Sequence, residues 1–530
     1  MQRRQFLHAA AASLAAAPFA APRIARAQDQ RVLRFVPYAD VAVVDPIWTT
    51  AYATRTHALA VFDTLYGTAA DFSVHPQMVA GHAVEDDGRL WRLTLREGLR
   101  FHDGAPVLAR DCVASIRRWA RRDTFGQLLA AATDELSATD DRTITFRLKR
   151  PFPLLPDALG RPSSLVPVIM PERLALTDPF TQVPEVIGSG PFRFLAEERV
   201  AGARVVYARH QGYVPRPDGV SSQTAGPRIA HVDRVEFNVI PDPATAVAAL
   251  QSGAVDWVEQ PLIDLLPMLR RSREIAIEVK DTTGMVGNLR FNHLHPPFDK
   301  AAVRRVVMRA VSQADCMTAV AGNDASLWRE RVGIFAPGTP MASDAGLPPA
   351  GARPDLAALR RELDAAGYGG ERIVMLAGAD VPRINAVCEV TAQVMRQLGM
   401  NIDFVATDWG TVNNRITNRR SVDEGGWSCY CVYTSGSDLA VPATYNALRA
   451  GGASAGPGWP NIPALEALRA RWLEAPTLTA QQAICRDIQL LCGEEAPFVV
   501  LGQFTQPVAY RKSLTGMMDG LPVLTNLRKG

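Results

Sequence analysis

Residues 372–407, RIVMLAGADVPRINAVCEVTAQVMRQLGMNIDFVAT, carry the pattern that decides the fold class. The apolar runs at 373–377 and 402–406 have the length of buried strands. Between them, apolar side chains recur at the spacing of one helix face, and Gly399 ends that helix. These helix positions are Ile384, Val387, Thr391, Val394 and Leu398. The order strand–helix–strand predicts a βαβ unit, and therefore an α/β lobe with a largely parallel sheet.

The N-terminal half of the chain predicts shorter strands joined by tight turns. Trp91, Leu93 and Leu95 alternate as in a half-buried strand, and glycines at positions 98 and 104 mark turns after it. A helix with apolar residues on one face follows near position 113. Further along, Asp242-Pro243 places an acid at the N-cap and proline at the first position of another helix.

Length and composition limit the class of protein. A chain of 530 residues is too long for one ordinary core, so two or three domains are expected. The apolar content of 47% and charged content of 21% are ordinary for a globular protein. The net charge of +3, with no basic run, excludes a nucleic-acid binder of the usual kind. Seven scattered cysteines predict buried thiols rather than a disulfide framework.

The first 27 residues predict a removable export signal. A basic start at Arg3-Arg4 precedes an Ala-rich apolar stretch, and Ala25-Arg26-Ala27 fits a cleavage site after Ala27. Arg3-Arg4 with Phe6-Leu7 resembles a twin-arginine signal, and an ordinary Sec signal is the alternative. We therefore expect a mature protein in the periplasm. No later apolar run approaches the length of a membrane span.

Five segments, in order, resemble one family: the family 5 extracellular solute-binding proteins of ABC importers, which bind dipeptides, oligopeptides or nickel. The strongest is WRLTLREGLRFHDGAP at 91–106, continuing into the helix at Asp111. The others are FDTLY at 62–66, GSGPF at 188–192, ALQSGAVD at 249–256, and the region from Asn292 through PFD at 297–299 to Val303-Arg304. The family pattern has Gly-Thr-Gly-Pro-Tyr, Asn-x-x-x-x-Pro-Phe-Asp and Val-Arg at the corresponding places.

The resemblance implies a two-lobed periplasmic-binding-protein fold of type II, in the large form with an extra subdomain in lobe I. It assigns residues 28–285 to lobe I, with the inserted subdomain at about 50–186. Lobe II would comprise residues 286–496, and residues 497–530 would return to lobe I. The implied partners are a small-molecule or peptide-like ligand and the permease subunits in the inner membrane. We expect a monomer without cofactor, catalysis or nucleic acid.

Ligand contacts in this family commonly come from the region after the βαβ unit. The resemblance therefore implies the ligand-binding candidates Trp409, Arg415, Trp427, Tyr430, Tyr433 and Asp438. Aromatic faces with one acid and one base suit a zwitterionic or cationic organic ligand. Peptide-binding relatives have Gly-Asp where this chain has Cys429-Tyr430. This departure counts against ordinary α-peptides and leaves peptide-like, opine-like or other small organic solutes.

Two other chemistries have partial matches in the sequence. His293 and His295 on one side of a strand, or Cys429 and Cys431, are hypothetical metal ligands of a nickel-type carrier. The letters GASAG at 452–456 match the Gly-x-Ser-x-Gly elbow of hydrolases. That elbow requires a strand before the serine and a helix after it, which the surrounding sequence does not predict.

Overall fold

The computed structural model describes residues 31–530, so the predicted export signal lies outside the described residues. The chain builds two large sheets, which define two lobes. The lobe I sheet has seven strands in the order β12 (Ile275–Glu278), β19 (Val508–Arg511), β11 (Trp257–Val258), β1 (Val32–Val36), β10 (Arg234–Asn238), β9 (Arg204–Arg209) and β8 (Phe192–Phe194). The lobe II sheet has six strands in the order β14 (Trp328–Arg329), β18 (Phe498–Phe504), β13 (Met285–Phe291), β17 (Cys429–Ser435), β15 (Arg372–Gly378) and β16 (Asn401–Thr407).

A separate four-stranded antiparallel sheet lies within the stretch that the sequence assigned to an inserted subdomain. Its order is β4 (Val79–Glu85), β5 (Leu90–Leu95), β7 (Thr143–Leu148) and β6 (Thr133–Ala138). Two short pairs complete the described strands: β2 (Tyr66–Thr68) with β3 (Val74–Pro76), and β20 (Leu514–Thr515) with β21 (Arg528–Lys529).

Most helices cover the faces of these sheets. The α-helices in the described part of the chain are α1 (Tyr52–Val61), α2 (Ala109–Ala120), α3 (Thr124–Ala132), α4 (Leu155–Gly160), α5 (Glu172–Ala175), α6 (Pro243–Ser252), α7 (Leu266–Leu269), α8 (Ala301–Ala310), α9 (Gln313–Ala321), α10 (Leu356–Ala365), α11 (Pro382–Gln397), α12 (Trp409–Arg415), α13 (Pro463–Glu474) and α14 (Leu478–Glu495). No helix within residues 31–530 is long and apolar enough to cross a bilayer.

The local predictions are confirmed where the pattern was strongest. Strands β15 and β16 pair in parallel over their full length, with α11 between them in sequence. Asp242 caps α6 by accepting a hydrogen bond from the Thr245 N–H at 2.7 Å, and Gly253 ends that helix with φ of 80°. All seven cysteines are buried and free of disulfides, as predicted.

The chain passes between the two sheets at two adjacent places. The first lies between β12 and β13, and the second lies between β18 and β19. Residues 498–504 still pair with β13 in lobe II. The return to lobe I therefore comes after Phe504, later than the expected boundary at 496/497.

The four-stranded sheet and lobe II share a hydrophobic core. One continuous cluster of buried side chains includes Trp91 and Phe146 of the four-stranded sheet together with Trp472 and Phe498 of lobe II. This apolar contact packs the four-stranded sheet against lobe II.

Candidate functional site

A cavity lies where the two lobes and the two crossing segments meet. Its wall includes residues of α1, Trp257 of β11, and residues 259–260. It also includes residues of the first crossing, between β12 and β13, and the start of β13. Ser435 at the end of β17, the second crossing with Val508, and residues 517–518 and 520–523 complete the wall. The centres of water molecules can occupy about 70 Å³ of this space. Because both lobes contribute to the wall, the cavity lies where a ligand could be enclosed by lobe closure.

Arg55 is the most unusual residue of the cavity wall. Its side chain lies on α1, the residue is only 6% exposed, and its guanidinium lies 4.5 Å from the centre of the Tyr52 ring. Within residues 31–530, Nε and Nη1 of Arg55 have no hydrogen-bond partner. Buried donors of a charged group are normally paired, since leaving them unpaired costs several kcal/mol. Arg55 therefore brings to the cavity wall a guanidinium group with two donors that the described chain leaves unpaired.

Glu259 brings a buried carboxyl group to the same cavity. It follows β11, is 6% exposed, and accepts a hydrogen bond of 2.9 Å from the Tyr38 N–H. Burial raises the pKa of Glu259 to about 7, against the opposing effects of the Tyr38 N–H and the Arg55 charge. The shift shows that this carboxyl group lacks full compensation from its neighbours.

Two neutral polar atoms of the wall are also unpaired within the described chain. They are Nε1 of Trp257, a donor, and Oε1 of Gln506, an acceptor. Trp257 is 2% exposed. A donor and an acceptor are therefore available in addition to the two charged groups, in a wall that also contains apolar side chains such as Met517. This combination of apolar lining with a few polar groups is typical of small-molecule sites.

Tyr52 connects the cavity wall to lobe II. Its hydroxyl accepts a 2.8 Å hydrogen bond from the Ser435 N–H and donates a 3.1 Å hydrogen bond to Oδ2 of Asp438. Asp438 also accepts from the Ser164 hydroxyl at 3.1 Å and lies 3.7 Å from Nη2 of Arg161. The Asp438 carboxylate therefore joins lobe II to α1 and to the inserted subdomain.

Of the six candidates taken from the sequence, Asp438 and Tyr433 lie on the side of lobe II nearest the crossings. The Tyr433 ring packs edge-on against Phe504, with ring centres 5.0 Å apart, and its hydroxyl donates to the Arg383 carbonyl oxygen at 3.3 Å. Asp438 and Tyr433 do not line the cavity. Asp438 does accept a hydrogen bond from Tyr52, which lines it.

The other four candidates have contacts inside lobe II. Trp427 is fully buried and donates from Nε1 to the Ile416 carbonyl oxygen at 3.0 Å. Tyr430 packs against Trp427, with ring centres 5.3 Å apart. Arg415 donates to the carbonyl oxygens of residues 425 and 426 at 3.0 and 2.8 Å. Trp409 lies so close to Gly378 that a Cβ there would come within 2.9 Å of its ring. The structure gives these side chains packing and loop-holding contacts.

Arg55 and Glu259 are not among the six ligand-binding residues predicted from the sequence. One signal for Glu259 was available, because an acid directly after a buried strand lies at the carboxyl end where ligands bind in α/β sheets. Arg55 lies in the middle of α1, and nothing in the local pattern distinguishes it from a solvated helix residue.

The residues considered for rival chemistries are engaged elsewhere. His293 and His295 make ring-nitrogen hydrogen bonds to the carbonyl oxygens of Pro497 and Arg419, at 3.0 and 2.8 Å. In the described part of the chain, no group of three or more His, Cys, Asp or Glu side chains is placed to hold a metal ion. Ser454 ends a short 3₁₀ helix instead of occupying a strand-to-helix elbow. The geometry that a hydrolase elbow requires is therefore not present at Ser454.

Two lobes joined by two crossings, with an interlobe cavity holding unpaired buried polar groups, define a binding protein that closes around a small solute. The family described as bacterial extracellular solute-binding proteins, family 5 Middle, matches residues 73–455. The chain belongs to this family, whose members are the substrate-binding components of ABC transporters.

Individual relatives agree with this assignment. The chain is 38% identical over 498 residues, 92% of each chain, to a probable peptide ABC transporter periplasmic-binding protein, y4tO, of Sinorhizobium fredii. The binding protein AgaA of A. tumefaciens R10, solved with agropinic acid, has a TM-score of 0.77 at 19% identity, covering 94% of this chain and 99% of AgaA. DppA of Helicobacter pylori, solved with the peptide STSA, has a TM-score of 0.78 at 18% identity, covering 95% of this chain and 99% of DppA. These structures confirm the two-lobed fold.

Proposed function

We propose that this chain captures a peptide-like or other small organic solute in the interlobe cavity and delivers it to the permease of an ABC importer. The proposed site rests mainly on Arg55. Its guanidinium is buried, has two unpaired donors, and belongs to a cavity wall formed by both lobes. The relative described as a probable peptide transporter component and the structure of DppA with a bound peptide support a peptide-like solute. The departure at Cys429-Tyr430 favours a solute that differs from an ordinary α-peptide.

Location and assembly form part of the same proposal. The protein is exported by the twin-arginine route, is cleaved after Ala27, and works in the periplasm as a monomer. It performs no catalysis, since capture requires only that both lobes contact the solute. Closing the lobes excludes water and strengthens each polar contact with the ligand.

Identification of the bound solute tests this function. The protein is purified under native conditions from its source, and the compound released on unfolding is identified by mass spectrometry. Adding that compound back to stripped protein should raise the melting temperature, because a ligand that binds only the folded state stabilises it by mass action. At a ligand concentration about 100 times Kd, the expected gain is about 2.7 kcal/mol.

Two results of this experiment would contradict the proposed function. Chemical conversion of the compound over repeated cycles would refute a pure binding role. A purified protein that is stabilised by none of the organic compounds in an extract of its growth medium would refute capture of an organic solute.

A further inference from the structure

A basic and an acidic side chain line the cavity without forming an ion pair. The Arg55 guanidinium keeps two unpaired donors, and the Glu259 carboxyl group has only a backbone N–H as its hydrogen-bond donor within the described chain. Other buried Arg–carboxylate pairs in this protein do meet, such as Arg118 with Asp45 at 2.7 Å and Arg161 with Asp123 at 2.6 Å. Arg55 and Glu259 differ from these pairs, because they border the same space without forming an ion pair.

A zwitterion is the ligand chemistry that satisfies both groups. Its carboxylate accepts hydrogen bonds from Arg55, and its ammonium group donates to Glu259. Each charge of the ligand then replaces water that lobe closure removes. A ligand without a carboxylate would leave the Arg55 guanidinium buried and uncompensated, at a cost of several kcal/mol. A ligand without an ammonium group would leave Glu259 to take up a proton instead.

The size of the cavity limits the ligand further. A water molecule needs roughly 10–15 Å³ of the space open to water centres, so about 70 Å³ holds about five waters. Five waters occupy about 150 Å³ of liquid, which is close to the bulk of a single amino acid. A peptide of three or more residues exceeds this space and would have to extend out of the cavity.

We propose that the solute is a single amino acid or a similarly small amino-acid derivative, with its carboxylate on Arg55 and its amino group on Glu259. This inference rests on the proposed function and names the substrate class of the same site. Trp257 and Gln506 also line the cavity, and each has one polar atom without a partner in the described chain. Met285 and Met517 provide apolar contact that adapts to its shape.

Calorimetric titration of the stripped full-length mature protein tests this assignment. The probes are the free amino acids, their N-acetyl derivatives, their amides, and di- and tripeptides. We expect a free amino acid to bind, its N-acetyl derivative to lose the contact with Glu259, and its amide to lose the charged contact with Arg55. Each loss should weaken binding by roughly 30-fold or more, as for truncating one partner of a buried charge pair.

Two variants separate the two anchors. Arg55→Met should weaken binding of the free amino acid by roughly 100-fold. Its melting temperature without ligand should stay the same or rise, because a buried unpaired charge is removed. Glu259→Gln should weaken binding of the free amino acid but leave the affinity for the N-acetyl derivative unchanged. Arg122→Met is the matched control. Arg122 also lies over an aromatic ring of lobe I, 5.4 Å from Trp48, but outside the cavity, so its loss should not change affinity.

Several outcomes overturn the inference. They are tight binding of tripeptides with no binding of single amino acids, unchanged affinity in Arg55→Met, and failure of every probe to bind. In each of these cases, recovery of another organic solute from the native protein would leave the proposed function standing. Turnover of a bound compound would instead refute the proposed function.

Discussion

The hydroxyl group of Tyr52 offers a direct test of how the lobes are held closed. Tyr52→Phe removes one oxygen atom and with it the hydrogen bonds to the Ser435 N–H and to Asp438. The aromatic ring remains, so the stacking of Arg55 on it is preserved. The perturbation therefore acts on the contact between lobes and leaves the cavity wall nearly unchanged.

The magnitude follows from the two lost contacts. A neutral hydrogen bond contributes about 0.5–1.5 kcal/mol and one to a charged group about 1.5–3 kcal/mol. Asp438 retains Ser164 and Arg161 as neighbours, which reduces the loss. We expect the closed state to lose about 2–3 kcal/mol, which shifts the open-to-closed ratio by roughly 30- to 150-fold.

Small-angle X-ray scattering measures this shift without knowledge of the ligand. Tyr52→Phe should increase the radius of gyration of the ligand-free protein. It should also lower the affinity for any ligand in proportion to the loss of the closed population. Tyr445→Phe is the matched control. Its hydroxyl donates to Oδ1 of Asn288 at 3.0 Å inside lobe II, so this variant should lower the melting temperature without opening the cleft. Identical scattering curves for wild type and Tyr52→Phe would refute the role of this hydroxyl in closure.

Three further predictions follow from individual contacts. Because the pKa of Glu259 is raised from 4.5 to about 7 on folding, the folded state binds its proton more tightly. The free energy of unfolding should therefore fall by about 3 kcal/mol from this group as the pH rises from 4.5 through 7. Urea denaturation at pH 5 and pH 8 should show a flatter pH dependence in Glu259→Gln, and an unchanged dependence would contradict the assignment. Arg415→Ala should lower the melting temperature without changing ligand affinity, since Arg415 holds the carbonyl oxygens of residues 425 and 426; a loss of affinity at constant stability would return Arg415 to the ligand site. Trp427→Ala should cost about 3–5 kcal/mol in chemical denaturation because it opens a cavity in the core, and a loss below 1 kcal/mol would show that this ring is not a core element.

Four of the six ligand candidates predicted from the sequence have packing or loop contacts inside lobe II. Strand β17 lies between β13 and β15, so it is a central strand with neighbours on both sides. Tyr430 packs with Trp427 in one buried cluster, whereas Cys429 and Cys431 lie in another. Aromatic residues on such a strand can be core on either face. Sequence distance from the βαβ unit could not show which of them reach the cleft.

The sequence by itself determined the α/β class, the βαβ unit and the family, because these depend on short-range periodicity and on motifs in fixed order. Only the tertiary structure placed Arg55 and Glu259, which are far apart in the chain, on one cavity wall and left both groups without an ion pair. The reason is physical: burial and the distance between charges are properties of packed elements. A residue's neighbours along the chain set its backbone, but elements distant in the sequence decide whether its charge is compensated.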